Sequence, residues 1–186
     1  LEEVDLEGGE HDVIVNWCRA VENYDIPRNR LHRTKSFGRQ CGVDVTDLTP
    51  DFRVGPVAME WARNRIALEK KRKRKNTAKN QLIAVALDAA FPDRTWPLWR
   101  WDETLSILER TAPGVTLVFL STTPAETLPV RANAINLCGE TPTFEEAAAI
   151  VAACGAFFGP DSGLAHAAGA LGVPGAVYTG MVPAET

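Results

Sequence analysis

No apolar stretch in this chain comes near the roughly 20 consecutive residues that a membrane-spanning helix needs, so no such helix is expected. Histidine is scarce: His11, His32 and His166 are the three present. They do not stand with the cysteines at metal-ligand spacing, so no metal site is expected from them. The four cysteines, Cys18, Cys41, Cys138 and Cys154, include no C-x-x-C pair. They read as free thiols in a reducing compartment, which excludes a disulfide-stapled secreted domain. Internal repeats are missing, and low complexity is confined to one basic run, Lys70 to Lys75. That run has no interleaved aromatic residues, so base stacking on a nucleic acid is not indicated. An initial methionine is absent too: the first residue is Leu1, and the chain reads as a fragment or a processed product. The expected location is the cytoplasm.

What is present fits a soluble globular protein. Of 186 residues, 45% are hydrophobic and 24% charged, which suffices for one domain and part of another. The net charge of −4 is unevenly spread. Residues 1–80 hold 16 Lys/Arg against 13 Asp/Glu, whereas residues 81–186 hold 4 against 11. Two clusters, Arg28 to Arg39 and Lys70 to Lys75, make the first part positive. Six like charges in a row repel one another and stay in water, as a solvated linker or helix end does. The same positive surface would also attract an anionic partner, such as a phosphorylated glycolipid or a nucleic acid.

Along the chain, residues 1–12 read as loop, and apolar positions at helical spacing predict a helix over 13–24. Residues 28–50 have few apolar positions and read as an irregular connection. A helix is expected over 57–70, running into the basic linker. From Gln81 the texture changes. Leu82 to Leu87 is a continuous apolar run, as in a strand buried on both faces. A loop follows over 88–97, then a helix over 98–111 stopped by Pro113-Gly114. Strands are expected over 115–120 and 134–137. Thr143 with Glu146 three residues on is a capping-box pattern for a helix over 144–153.

Residues 156–178 then read strand, turn, helix, strand. Phe157-Phe158 reaches a tight Gly159-Pro160 turn. Asp161 and Ser162 can cap the helix that follows, closed by Gly172 and Pro174. A helix start beside a strand end gathers free N–H groups and the positive end of the helix dipole, a place for a phosphate. Gly159 and Gly163 would let such a ligand approach the backbone. Ser162 can donate to phosphate, whereas the Asp161 carboxylate would repel it and instead cap the helix or accept from hydroxyls. His166 lies five positions on, roughly 140° around the helix, still within reach of the ligand end. A capped, tightly packed helix with a chance histidine accounts for the same residues.

Asp161-Ser162-Gly163-Leu164-Ala165-His166 through Leu171-Gly172-Val173-Pro174 resembles the D-[ST]-G-x-x-H-x-x-A-A-L-x-x-P signature of heptosyltransferase-type glycosyltransferases, carbohydrate family nine. Gly169 departs from it, standing where the family usually has alanine. The match over 81–183 implies an α/β fold: a Rossmann-like parallel sheet with flanking helices, the C-terminal half of a GT-B fold. Residues 1–56 would be a mostly helical remnant of the N-terminal domain, and 57–80 the interdomain helix and basic linker. In the family a lysine two positions before the Trp of Trp-Pro contacts the donor diphosphate. Arg94 holds that position here, keeping the charge with a planar, forked geometry. Ala89 and Ala90 stand where the family often has Ser or Thr.

The resemblance implies a sugar transferase using a nucleotide-diphosphate sugar and no metal, with a lipopolysaccharide-type glycan as one acceptor class. The donor-binding residues would be Arg94, Asp161, Ser162, Gly163 and His166, with Glu145 or Glu146 at ribose hydroxyls. The catalytic base belongs to the N-terminal domain, so another segment or chain would supply it. Asp88 and Asp93 are strand-end carboxylates with no assigned catalysis. An anionic acceptor would sit near Lys70 to Lys75. Two other functions fit the same residues: a non-catalytic nucleotide-binding or interaction module, and a transferase acting on nucleic acid.

Overall fold

A computed structural model describes residues 33–48, 50–72, 81–124, 131 and 133–179. The helix expected over 13–24, and Lys73 to Lys75 of the basic run, lie outside the described residues. The described residues fall into two compact units, one within Leu1–Leu48 and one within Thr49–Pro183.

The first unit corrects one expectation. Within the stretch read as irregular, Arg33–Gln40 form a helix, α1. Its end is a Schellman motif: the Val43 N–H donates to the Gly38 carbonyl at 2.8 Å and that of Gly42 to Arg39 at 3.1 Å. Gly42 supplies the left-handed φ of 70°. The helix was missed because it carries no apolar stripe, but Gly42 was a visible stop signal.

The second unit is a five-stranded, wholly parallel sheet in the order β3-β2-β1-β4-β5. The strands are β1 (Leu82–Ala86), β2 (Thr116–Leu120), β3 (Ala134–Asn136), β4 (Ala156–Pro160) and β5 (Gly175–Tyr178). The helices are α2 (Pro56–Arg72), α3 (Leu98–Thr111), α4 (Phe144–Ala153) and α5 (Gly163–Ala170). This is the Rossmann-like α/β architecture that the apolar runs predict. A strand with helices on both sides has no wet face, so β1 reads as an unbroken apolar run and β2 as an apolar run behind the buried Thr116, rather than as alternating ones.

The alternation is still there, hidden in which core each residue joins. Ala84 and Ala86 of β1 pack with Ala62 and Ile66 of α2, Ile150 of α4 and Ala168 of α5. Val85 and Leu87 face the other way, onto Trp101 and Leu105 of α3. The small residues on the first face let α2 and α4 lie close over the sheet. The helix α2 is therefore part of this unit's core. The expected cap forms at α4 in one half of the box: the Thr143 hydroxyl accepts from the Glu146 N–H at 3.5 Å, while the Glu146 carboxylate accepts from that hydroxyl at 2.6 Å rather than from the Thr143 backbone N–H.

The Gly159-Pro160 pair does not make the expected turn; β4 runs through it and pairs Pro160 with Tyr178. A parallel strand donates to its two neighbours alternately, and Phe157 and Asp161 donate to the β5 side. The missing N–H of Pro160 therefore falls on the β1 side, beyond Phe158, where the β1 ladder has ended. Gly159 is needed because a Cβ there would sit 2.9 Å from the Ala86 Cβ and 3.0 Å from its carbonyl.

Candidate functional site

Sheet order reverses between β1 and β4. The chain leaves β1 toward β2 over α3, and leaves β3 toward β4 over α4. Loops at the C-terminal ends of β1 and β4 are thus pulled apart to opposite faces, leaving a crevice between them. A cleft of about 170 Å³ lies there, lined from the β1 side by Ala89, Ala90, Phe91 and Arg94 and from the β4 side by Asp161, Ser162, Gly163 and His166.

The β1 loop is held from beneath. Trp96 stacks on Tyr178 at 4.0 Å between ring centroids, and its backbone N–H donates to the Tyr178 hydroxyl at 3.2 Å. Trp101 lies under both rings, fully buried, with its indole N–H donating to the Leu87 carbonyl at 3.2 Å. Phe158 closes the cluster. Burial raises the Tyr178 phenol above its ordinary value, Asp88's charge adds to this, and the Trp96 N–H works against it. The Thr95 hydroxyl accepts from the Ala89 N–H at 3.2 Å, and Pro92–Arg94 form one 3-10 turn. These contacts aim Arg94 into the cleft. Its guanidinium lies 5.4 Å from the Phe91 ring centroid, a cation–π contact.

Opposite it, Arg94 Nη1 meets Asp161 Oδ2 at 3.3 Å. The other oxygen of Asp161 lies 3.5 Å from His166 Nε2. His166 is 81% exposed against 23% for Asp161, so the imidazole stands over the cleft mouth. Ser162 occupies the N-cap position of α5, yet its hydroxyl makes no cap bond. That oxygen is buried and has no hydrogen-bond partner. Neither Asp161 nor Ser162 caps with its side chain, so the first amides of α5, which have no intrahelical acceptor, stay uncapped. A buried hydroxyl without a partner is costly unless something external completes it.

One expectation needs correcting. Gly159 does not open the backbone to a ligand, because Ala86 and Phe157 fill the space its side chain would take. Gly163 does line the cleft, but the direction of its missing Cβ points at the Phe144 ring, 3.1 Å away. Glu145 lies outside the lining group, and its carboxylate accepts from the Gly55 N–H at 2.8 Å, just ahead of α2. Glu146 is engaged in the α4 cap. Asp88 ties two loops together, accepting from the Thr122 N–H at 3.0 Å and its hydroxyl at 2.6 Å. Phe91 and the Trp96–Trp101–Tyr178 support were not foreseen as parts of the site. The aromatic density of 91–101 was the available signal.

The sequence profile of Glycosyltransferase family 9 (heptosyltransferase) matches residues 34–186. The chain belongs to this family. Among solved structures, a family 9 glycosyl transferase from Veillonella parvula superposes with a TM-score of 0.61 at 20% identity, over 81% of this chain and 44% of that one. The ADP-heptose LPS heptosyltransferase II of E. coli gives 0.52 at 24% identity, over 69% of this chain and 39% of its own. A dodecameric, iron-containing heptosyltransferase TibC, solved with ADP-D-beta-D-heptose, gives 0.52 at 16% identity, over 84% and 37%. These likenesses show a shared fold. This family 9 chain spans less than half the length of each. A search of the curated proteins found no match. No described helix is long and apolar enough to cross a membrane. Among the described residues no group of three or more His, Cys, Asp or Glu is placed to hold a metal ion.

Proposed function

We propose that this chain is the donor-binding half of a glycosyltransferase that moves a sugar from a nucleotide-diphosphate sugar to an acceptor, with inversion at the anomeric carbon. The observation that carries the reading is the cleft itself. One arginine faces an uncapped helix start across it, and the Ser162 hydroxyl between them is buried without a partner. Arg94, Ser162 and the amides near Gly163 hold the diphosphate, and His166 donates to it from the mouth. In the reaction an acceptor oxygen bonds to the anomeric carbon as the carbon–oxygen bond to the diphosphate breaks. The bonding pair leaves on the phosphate oxygen, where Arg94 and the α5 amides stabilise the growing charge. The acceptor's proton goes to a base that residues outside the donor half, or another chain, supply. The donor sugar is a heptose-like sugar on a nucleoside diphosphate, and the acceptor is a lipopolysaccharide-type glycan. The Lys70 to Lys75 run attracts that acceptor's anionic groups, at a membrane surface on the cytoplasmic side. No bound metal is required, since side chains and helix dipole carry the positive charge.

Titration calorimetry with nucleoside diphosphates tests this. Arg94→Ala removes one charged phosphate contact and should cost about 1.5–3 kcal/mol, about 10- to 150-fold in Kd. Absence of any nucleotide binding at millimolar concentration would sink the reading. A non-catalytic nucleotide-binding module is the second reading, favoured by the methyl groups that Ala89 and Ala90 present where hydroxyls would serve a donor. Nucleotide binding without sugar transfer, in the protein with all its domains, would decide for the module.

A further inference from the structure

The cleft read as anion-binding already contains an anion. Asp161 places one carboxylate oxygen 3.3 Å from Arg94 Nη1 and the other 3.5 Å from His166 Nε2, so a single side chain meets both the guanidinium and the imidazole. It stands directly ahead of Ser162 at the start of α5, where an anion also gains from the helix dipole. All four residues line the same 170 Å³ space. A phosphate in that space must share Arg94 with the carboxylate or take it over, because two anions within a few ångströms repel strongly outside bulk water. The resident pair is one long contact rather than a bidentate fork: a single Arg94 nitrogen meets a single Asp161 oxygen at 3.3 Å, so the guanidinium keeps donors to offer a phosphate. The backbone of Asp161 does not depend on the pair, since its N–H donates to the Tyr178 carbonyl at 3.0 Å.

We propose that Asp161 is a resident counter-ion that limits how tightly this cleft holds phosphate groups. It neutralises Arg94 in the empty site, yields it when a diphosphate enters, and takes it back when the diphosphate leaves. The consequence runs against the usual effect of altering a site residue: removing the carboxylate's charge strengthens phosphate binding. In a transferase of the kind proposed above, on which this inference rests, the device favours release of the nucleoside diphosphate product.

The test is calorimetric titration of inorganic pyrophosphate and of ADP into the wild-type chain, Asp161→Asn, Arg94→Ala and the double variant. Asparagine keeps the size of the side chain and its contacts through the backbone. The expected result is a gain of about tenfold in affinity for both ligands in Asp161→Asn, shrinking with added salt. In the Arg94→Ala background the gain should be much smaller, because the cation the carboxylate competes for is gone. Thermal melts of each variant separate a binding change from misfolding, and Asp161→Ser is a second way to remove the charge. Unchanged or weaker pyrophosphate binding in both Asp161→Asn and Asp161→Ser overturns the proposal. If the wild type still binds ADP in an Arg94-dependent way, the donor-site reading survives that failure. If no variant binds either ligand, both fall together.

Discussion

The Trp101 side chain supports the β1 side of the cleft, and removing it tests how that side is built. It is fully buried, its ring centroid lies 5.3 Å from those of Trp96 and Phe158 and 5.8 Å from that of Tyr178, and its N–H holds the Leu87 carbonyl. Trp101→Ala removes an entire buried indole and leaves a cavity beneath the loop that carries Arg94. Such truncations cost about 3–5 kcal/mol, a large part of the 5–15 kcal/mol typical of a whole domain. Trp101→Phe keeps most of the ring contact and loses the hydrogen bond, so about 1–2 kcal/mol is expected. Urea unfolding followed by far-UV circular dichroism reads both, with the midpoint shifting and the slope unchanged. Nucleotide affinity should fall more in Trp101→Ala than its folded fraction explains, because the loop loses its floor. A loss under 1 kcal/mol in Trp101→Ala would refute the reasoning, since the aromatic cluster would then be decoration rather than support.

Three further outcomes are expected. Gly159→Ala forces a methyl against Ala86 at 2.9 Å, and overpacking of that kind should cost about 1–3 kcal/mol in the same urea assay. Burial pushes the Cys154 thiol up to about 12, with Lys70's charge pulling the other way. Its folded value is raised, so its share of stability is fully present below the ordinary thiol range and is lost as pH rises through about 12. In a thiol-labelling assay at pH 8, exposed Cys41 should react at once, and Cys138 and Cys154 only after denaturant is added. Burial opposes ionisation of Glu69, but hydrogen bonds from Arg65 and Arg72 outweigh it and hold its pKa below the ordinary carboxylate value. That stability is present above about pH 4.5 and lost as pH falls through the lower folded value. Arg65→Met, which also severs the link to Glu140, should therefore cost about 1–3 kcal/mol at pH 7 and measurably less below pH 4.

Elements with a repeating signal were legible from sequence. The runs 82–87 and 115–120 hold β1 and β2, because a strand covered on both faces is apolar at nearly every position. Thr143 with Glu146, and Gly172 with its φ of 68°, marked a helix start and a helix stop correctly. What failed had no periodic signal or two equally good meanings. Residues 33–40 lack an apolar face, and Gly159-Pro160 reads as a turn unless one knows that the neighbouring ladder stops short.

The pattern of the 161–174 segment by itself pointed to a helix between two strands and resembled the family whose profile matches residues 34–186. Tertiary structure alone decided that Arg94, 67 residues upstream, stands 3.3 Å from Asp161. It also turned Glu145 toward Gly55 and left the Ser162 hydroxyl buried without a partner. Local patterns report what a residue prefers for its own backbone. Which side chains meet depends on where the sheet reverses its strand order, and that is settled only when every helix has found a face to cover.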